Sequence, residues 1–339
     1  MEYPAVKDAH IVPKCLLSAF AVDERVELHV DDKLVPGPVP IRDVAVRHTY
    51  YRRTRPDGTP IDDAEWSLNK IENAAAPLLY SLNGNWGALS MESKGTLAEF
   101  FAIQSVRGPR WKAWWKNQTQ AAVDQWRREP APMLHNGLWI PMTYKTINDF
   151  EDQALENTSW LTRMFAISKK IAGIFASMRW TLLDFAEPWL VMSDHPVVEW
   201  PLEAEFRRPE PNRVGVGALN FLEVRVPVSP TQAILMTWSD EPGLNDRVEA
   251  SQSIAARINA FTIANSERQW FEKPGGSAPV ADGFQDPISP DVVSGYSKRR
   301  AESSRLRAAV TANLQPKLGL DQVNEMDVFT IEPIGSRVA

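Results

Sequence analysis

The run WLVMSDHPVVEW, residues 189–200, ends an apolar stretch in Ser193, Asp194 and His195, followed by Pro196. A buried strand would deliver those polar groups to a cleft, and Pro196 removes a backbone donor and fixes the exit. A buried aspartate needs a cation, a metal or several N–H donors, because an isolated charge there is very costly. The alternative is an Asx-turn, in which Asp194 caps the backbone two residues on. His10, in HIVPKCLLSAF, can act as a general base or metal ligand only if a carboxylate or carbonyl orients its second ring nitrogen. Arg107 and Arg110, in SVRGPRWKAWWK, have the fork that holds phosphate or carboxylate bidentately. Trp111, Trp114 and Trp115 share a helical face there, which reads as packing with the lysines turned to water.

These residues need elements to position them. Acidic residues open a segment from Asp62 to about Leu79 in which Leu68, Ile71, Ala75 and Leu78 recur at helical spacing, with Glu65 and Glu72 on one face. A second helix is predicted over 96–106, stopping near Gly108-Pro109, so that Gln104 and Arg107 project together from its end. A third is predicted over 148–178, its Trp160, Met164, Ile167, Ile171, Ile174 and Met178 stripe being core. The pattern then turns to β, with Leu222, Val224, Val226 and Val228 alternating before Ser229-Pro230 and a second apolar run, a hairpin signal. Residues 244–271 return to helical spacing, with Ile254, Ile258 and Phe261. The N-terminal 60 residues suit short strands and turns.

The fold class expected is α+β, a helical body packed on a small, mainly antiparallel sheet formed by the segments around 185–240, with the N-terminal strands as possible additions. Residues 1–272 read as a single α+β domain. Residues 273–339, rich in Pro, Gly, Ser and charge, read as a loosely packed or partly disordered tail with one helix around 293–314.

Composition narrows the function class. The 339 residues include 37 basic and 43 acidic side chains, a net charge of -6 that argues against a protein built mainly around a nucleic-acid backbone field. Cys15 is the one cysteine, so no intrachain disulfide and no multi-cysteine metal site can form. No secretory signal and no membrane-spanning stretch is legible, which gives the expectation of a cytoplasmic protein. No phosphate-binding glycine loop, G-x-S-x-G elbow or H-E-x-x-H is present, and GVGALN (215–220) lacks the third glycine of a dinucleotide fingerprint. No organic cofactor is indicated.

The ordered motifs HIVPKCLLSAFA, EWSLNKIENAAAPLL, LAEFFAIQSVRGPR, WLVMSDHPVV, VRVPVSPTQAILM and INAFTIANSERQW resemble the DUF4238 family over about residues 10–270. The resemblance singles out His10, Glu72, Gln104, Arg107, Asp194, Asn259 and Arg268 as matching polar positions. His195, where the pattern more often has Asn, and Gly108, where it more often has Thr, depart from it. The family brings no activity to transfer. Taken together, acids, a histidine and arginines are the kit for hydrolysing a phosphate-containing substrate, a nucleotide or a nucleic-acid phosphodiester. Glu72 and Asp194 would hold Mg²⁺ or Mn²⁺, and His10 would be the general base or a third ligand. Arg107 and Arg110 would clamp the phosphate, and Gln104, His195, Asn259 and Arg268 would complete the substrate contacts. Two alternatives stand beside this: a non-catalytic binding or sensor protein for an anionic ligand in a defence or regulatory system, and metal-free acid/base chemistry with His10 and Glu72 as the pair.

Overall fold

A computed structural model describes residues 8–55, 57–129, 133–135, 138–140, 157–201, 221–239, 245–283 and 286–314, together with 143, 145, 147–148 and 151. The GVGALN motif lies outside the described residues. The fold is α+β, as the sequence pattern predicts. Its main helices are α1 (Lys14–Phe20), α2 (Asp63–Asn85), α3 (Met91–Val106), α4 (Pro109–Arg128), α5 (Asn157–Ser177) and α6 (Gln252–Ala264).

Helix α3 is the axis of the body. Its residues from Leu97 to Val106 are buried except Glu99, including Phe100, Phe101 and Ile103, so it is wrapped on nearly every side. It begins five residues earlier than its apolar spacing predicts because the Ser90 hydroxyl accepts the Ser93 N–H at 3.1 Å, a side-chain cap. At its other end Pro109 restarts the chain as α4, Pro being well suited to a first helical turn. This break leaves Arg107 buried at the C-terminal end of the most enclosed helix. Helix α5 carries the anticipated core stripe, with Trp160, Met164, Ile167, Ile171 and Ile174 buried and Met178 buried just past its end.

The main sheet runs Val198–Pro201, Phe221–Ser229, Gln232–Thr237, Arg179–Asp184, Asn245–Glu249, and every pair is antiparallel except the last. The anticipated hairpin pairs Val224 with Met236 and Val226 with Ile234. The N-terminal strands do not extend this sheet. Arg25–Val30 pairs instead with Gln269–Glu272, which pairs with Met192–Ser193. The opening SDHP motif therefore belongs to a second sheet that joins the N-terminus to the chain after α6.

Part of the segment read as a loose tail is tied down. The Glu223 carboxylate, fully buried, accepts the N–H groups of Ile288 (3.0 Å) and Ser289 (2.9 Å) and pairs with Arg225 beside it. Arg257 donates to the carbonyls of Asp286 and Pro287, and Ile288, Val293 and Ala301 enter the core. Buried carboxylates that collect backbone donors fix a passing segment without any helical or strand periodicity, which is why composition alone read it as loose.

Candidate functional site

Arg107 centres a closed polar knot. Its Nε donates to the Tyr51 hydroxyl at 2.9 Å, one terminal nitrogen to Glu72 Oε1 at 2.7 Å, and the other to the backbone carbonyl of His10. Burial opposes its charge, but Tyr51 and Glu72 more than restore it, so the guanidinium stays cationic. Tyr51 is pushed up to about 12, by burial first, with Arg107 pulling the other way. His10 thus contributes its carbonyl, while its ring lies 3.3 Å from the Ile41 carbonyl and burial lowers its pKa. The structure brings His10, Glu72 and Arg107 together, and adds Tyr51, which sequence pattern did not distinguish from turn residues.

Around this knot lie polar groups that find no hydrogen-bond match among the described residues. Gln104, one turn before Arg107 and 1% exposed, has no hydrogen-bond partner for either amide atom. Glu65 Oε1 and the Tyr50 hydroxyl are also buried without partners. Burial raises Glu65 to about 7, with Glu72 and Asp62 adding to the rise against Arg107. The Lys112 ammonium sits over two rings, 4.5 Å from the Tyr50 centroid and 4.9 Å from Trp160, and burial followed by Lys116 lowers it to about 8. Buried ionisable groups with shifted pKa values gathered on different elements are what functional sites, as well as structural networks, look like.

Tyr50 and Tyr51 are held by a strained loop. Ala45 and Thr49 both take left-handed conformations, with φ of 52° and 48°, which side chains other than glycine adopt at a cost. The loop persists because the Ala45 N–H donates to the Gln269 side chain (2.9 Å) and its carbonyl accepts from Ile11 (2.8 Å).

Asp194 meets its burial with several N–H donors, one of the ways read from sequence, and does not form the alternative Asx-turn. Its carboxylate accepts the N–H groups of Glu267 (2.7 Å), Arg268 (3.0 Å) and Gln269 (3.0 Å), and its own N–H donates to Gln269 (2.9 Å). It is a clamp across sequence rather than an Asx-turn; the local turn is made by Ser193, whose hydroxyl bonds both His195 backbone groups. Burial lifts the Asp194 carboxyl above its ordinary range, against the pull of those three donors. The clamp aims Glu267 at α4, where Oε1 accepts the Arg110 N–H at 2.6 Å. Burial, with Asp194 nearby, raises Glu267 to about 7. Gly108 admits this approach, since a Cβ there would lie 2.9 Å from that oxygen.

Among the described residues, two arginines near this end of α4 make no carboxylate ion pair. Arg47 and Arg110 both act electrostatically on Glu267; Arg47 also acts on Asp194 and Tyr50, and Arg110 on His195 and Glu199. Among the described residues, the one hydrogen bond of the Arg110 guanidinium is to the Ser266 carbonyl, 3.3 Å away. The contrast is with Arg52, Arg53, Arg107, Arg127, Arg179, Arg225 and Arg257, each paired with a carboxylate. Burial and then Arg110 push His195 down, to about 3, so its imidazole is neutral, and burial raises Glu199 to about 7.

The remaining residues singled out by sequence are placed elsewhere. Asn259 is a buried clasp: its Oδ1 accepts the Val191 N–H (3.0 Å) and its Nδ2 donates to Trp189 (2.6 Å) and Pro279 (2.8 Å). Arg268 is exposed and pairs with Asp31 at 3.2 Å on the surface. The proposed metal ligands fit poorly together: both oxygens of Asp194 and one of Glu72 already accept protein donors. Among the described residues, no group of three or more His, Cys, Asp or Glu side chains is arranged to hold a metal ion.

The fold and site thus define an α+β protein with a buried arginine knot beside a partly unpaired basic cluster. The chain belongs to the DUF4238 family of proteins of unknown function, whose model matches residues 9–275. No curated protein and no solved structure matches it. The matched span takes in the knot, the Asp194 clamp, Arg47 and Arg110. Among the described residues, no helix is long and apolar enough to cross a membrane.

Proposed function

We propose that the protein binds a small anionic ligand, carrying a phosphate or carboxylate, at the N-terminal end of α4. The observation that carries this reading is the set Arg47, Arg110 and Lys112. These three half-buried cations make no carboxylate ion pair among the described residues, while the half-buried Arg52 and Arg53 do. Partly desolvated cations that lack a direct carboxylate ion pair favour an incoming anion, and the positive end of a helix of 20 residues adds to the attraction. Glu267 holds the place an anion would take on the helix terminus. Its raised pKa means that it is partly neutral at neutral pH and repels an anion less than an ordinary carboxylate.

A hydrolase acting on a phosphate-containing substrate is the second reading, favoured by Glu65 and Glu267, whose pKa values of about 7 suit general acid and base work at neutral pH. In this form the reaction runs through protein acids rather than through Mg²⁺ or Mn²⁺ on Glu72 and Asp194. Thermal melting with phosphate, pyrophosphate, a nucleoside triphosphate and a short single-stranded oligonucleotide tests the binding reading. An anion at about a hundred times its dissociation constant stabilises by roughly 2.7 kcal/mol. That rise should be lost in Arg110→Ala and Arg47→Ala. Melting points unmoved by every anion would overturn the proposal, and a rise that needs Mg²⁺ or Mn²⁺ would restore the metal-assisted mechanism.

A further inference from the structure

We propose that Lys112 is a nucleophilic amine that forms an imine with an aldehyde or ketone ligand, and that this ligand carries the anionic group for which the neighbouring arginines are left open. The second half rests on the anion-binding reading above; the first does not.

The geometry isolates this amine. Its Nζ lies over the rings of Tyr50 and Trp160, and no hydrogen bond or carboxylate reaches it among the described residues. Aromatic faces hold a cation, but weakly compared with the water they displace. Lys116, one turn further along the same face of α4, adds a like charge. A desolvated lysine beside a second cation is the environment in which an amine is neutral often enough to attack a carbonyl. The ring beneath it also carries the Tyr50 hydroxyl, buried and without a partner, a group able to hydrogen-bond the oxygen of an adduct.

Lys94 supplies an internal contrast. Burial lowers it to about 8 as well, but its Nζ donates to the Met178 carbonyl at 2.7 Å and the residue is 1% exposed. It is occupied and closed off. Lys112 is partly exposed and unoccupied.

The step balances without an oxidant or reductant. The neutral amine adds to the carbonyl carbon as one N–H proton is passed to the carbonyl oxygen, and the resulting carbinolamine loses water, its hydroxyl leaving with the second N–H proton, as the C=N bond forms. The proton that the ammonium gave up to become nucleophilic goes to solvent.

The test uses the full chain with two aldehydes, glyoxylate and acetaldehyde, each trapped by cyanoborohydride and mapped by peptide mass spectrometry. Labelling of Lys112 is compared with that of exposed Lys70 and Lys116 in the same sample, which cancels the intrinsic reactivity of each aldehyde. Lys112 is expected to label at least fivefold faster than either with acetaldehyde, and faster still, relative to them, with glyoxylate. Lys112→Arg should remove the fast site, and Tyr50→Phe should slow it while leaving Lys70 unchanged. Labelling of Lys112 no faster than that of exposed lysines overturns the proposal. Selective labelling by acetaldehyde with no further preference for glyoxylate keeps the nucleophile and overturns its anionic ligand.

Discussion

Replacing Asp194 with Asn separates a structural clamp from a metal ligand. Asp194 Oδ2 accepts two N–H groups and Oδ1 accepts one, from Glu267. Asn has a single side-chain oxygen, so the best orientation keeps two bonds and turns its NH₂ against the Glu267 N–H. One charge-assisted bond is lost and two become neutral, against a gain from no longer burying a charge. Bonds to charged groups contribute about 1.5–3 kcal/mol and neutral ones about 0.5–1.5, so the net loss should be about 2–4 kcal/mol. Urea denaturation of wild type and Asp194→Asn measures it as a lower midpoint at unchanged slope. The variant should also weaken anion binding, because Glu267 and the neighbouring Arg110 lose their alignment although Asp194 itself touches no ligand. A loss below about 0.5 kcal/mol, or one that appears only with Mg²⁺ or Mn²⁺ present, would refute the clamp.

Two other substitutions probe the buried carboxylates. Glu223→Gln should cost about 3–5 kcal/mol, since it leaves the Arg225 charge buried without its partner. Limited proteolysis should then cut near 280–290, and a cleavage pattern like that of wild type would contradict the latch. Glu65 has a folded pKa of about 7 against an ordinary 4.5, so the folded chain binds more protons than the unfolded chain between those values. Stability therefore falls as pH rises from about 4.5 to 7. Glu65→Gln should remove its own share of that fall, to which Glu199 and Glu267 also contribute, and be more stable than wild type at pH 8, with no gain at pH 4; urea midpoints that drop equally at both pH values would contradict the reading.

Periodic elements were legible in the sequence and cross-chain polar contacts were not. The stripe from Trp160 to Met178 and the alternation from Leu222 to Val228 announce a helix and a strand because apolar residues recur at a fixed period, although the strand buries its other face too, through Glu223 and Arg225. The Ser90 cap was a local signal, readable in principle three residues ahead of Ser93. Helix α2 runs on past Leu79 to Asn85 although Pro77 lies inside it, because the burial of Ala75 and Leu82 outweighs one lost backbone bond. The site divides in the same way. His10, Glu72 and Arg107 do meet, but through the His10 carbonyl, which no side-chain pattern reports. Asp194 was recognisable as a buried acid requiring donors, yet its donors come from residues 267–269, more than seventy positions away. Tyr51, Glu267 and Arg47 had no distinguishing spacing at all. Their roles follow from the strained loop at Ala45 and Thr49 and from the second sheet, both products of long-range packing.

The most direct measurement is a crystal of the protein soaked in tungstate, with the anomalous signal used to locate the bound oxyanion. A peak within hydrogen-bond reach of the Arg47 and Arg110 guanidinium groups at the start of α4, absent in Arg110→Ala, is the predicted result. Tungstate bound only at exposed surface cations such as Arg268, or nowhere, would contradict the account.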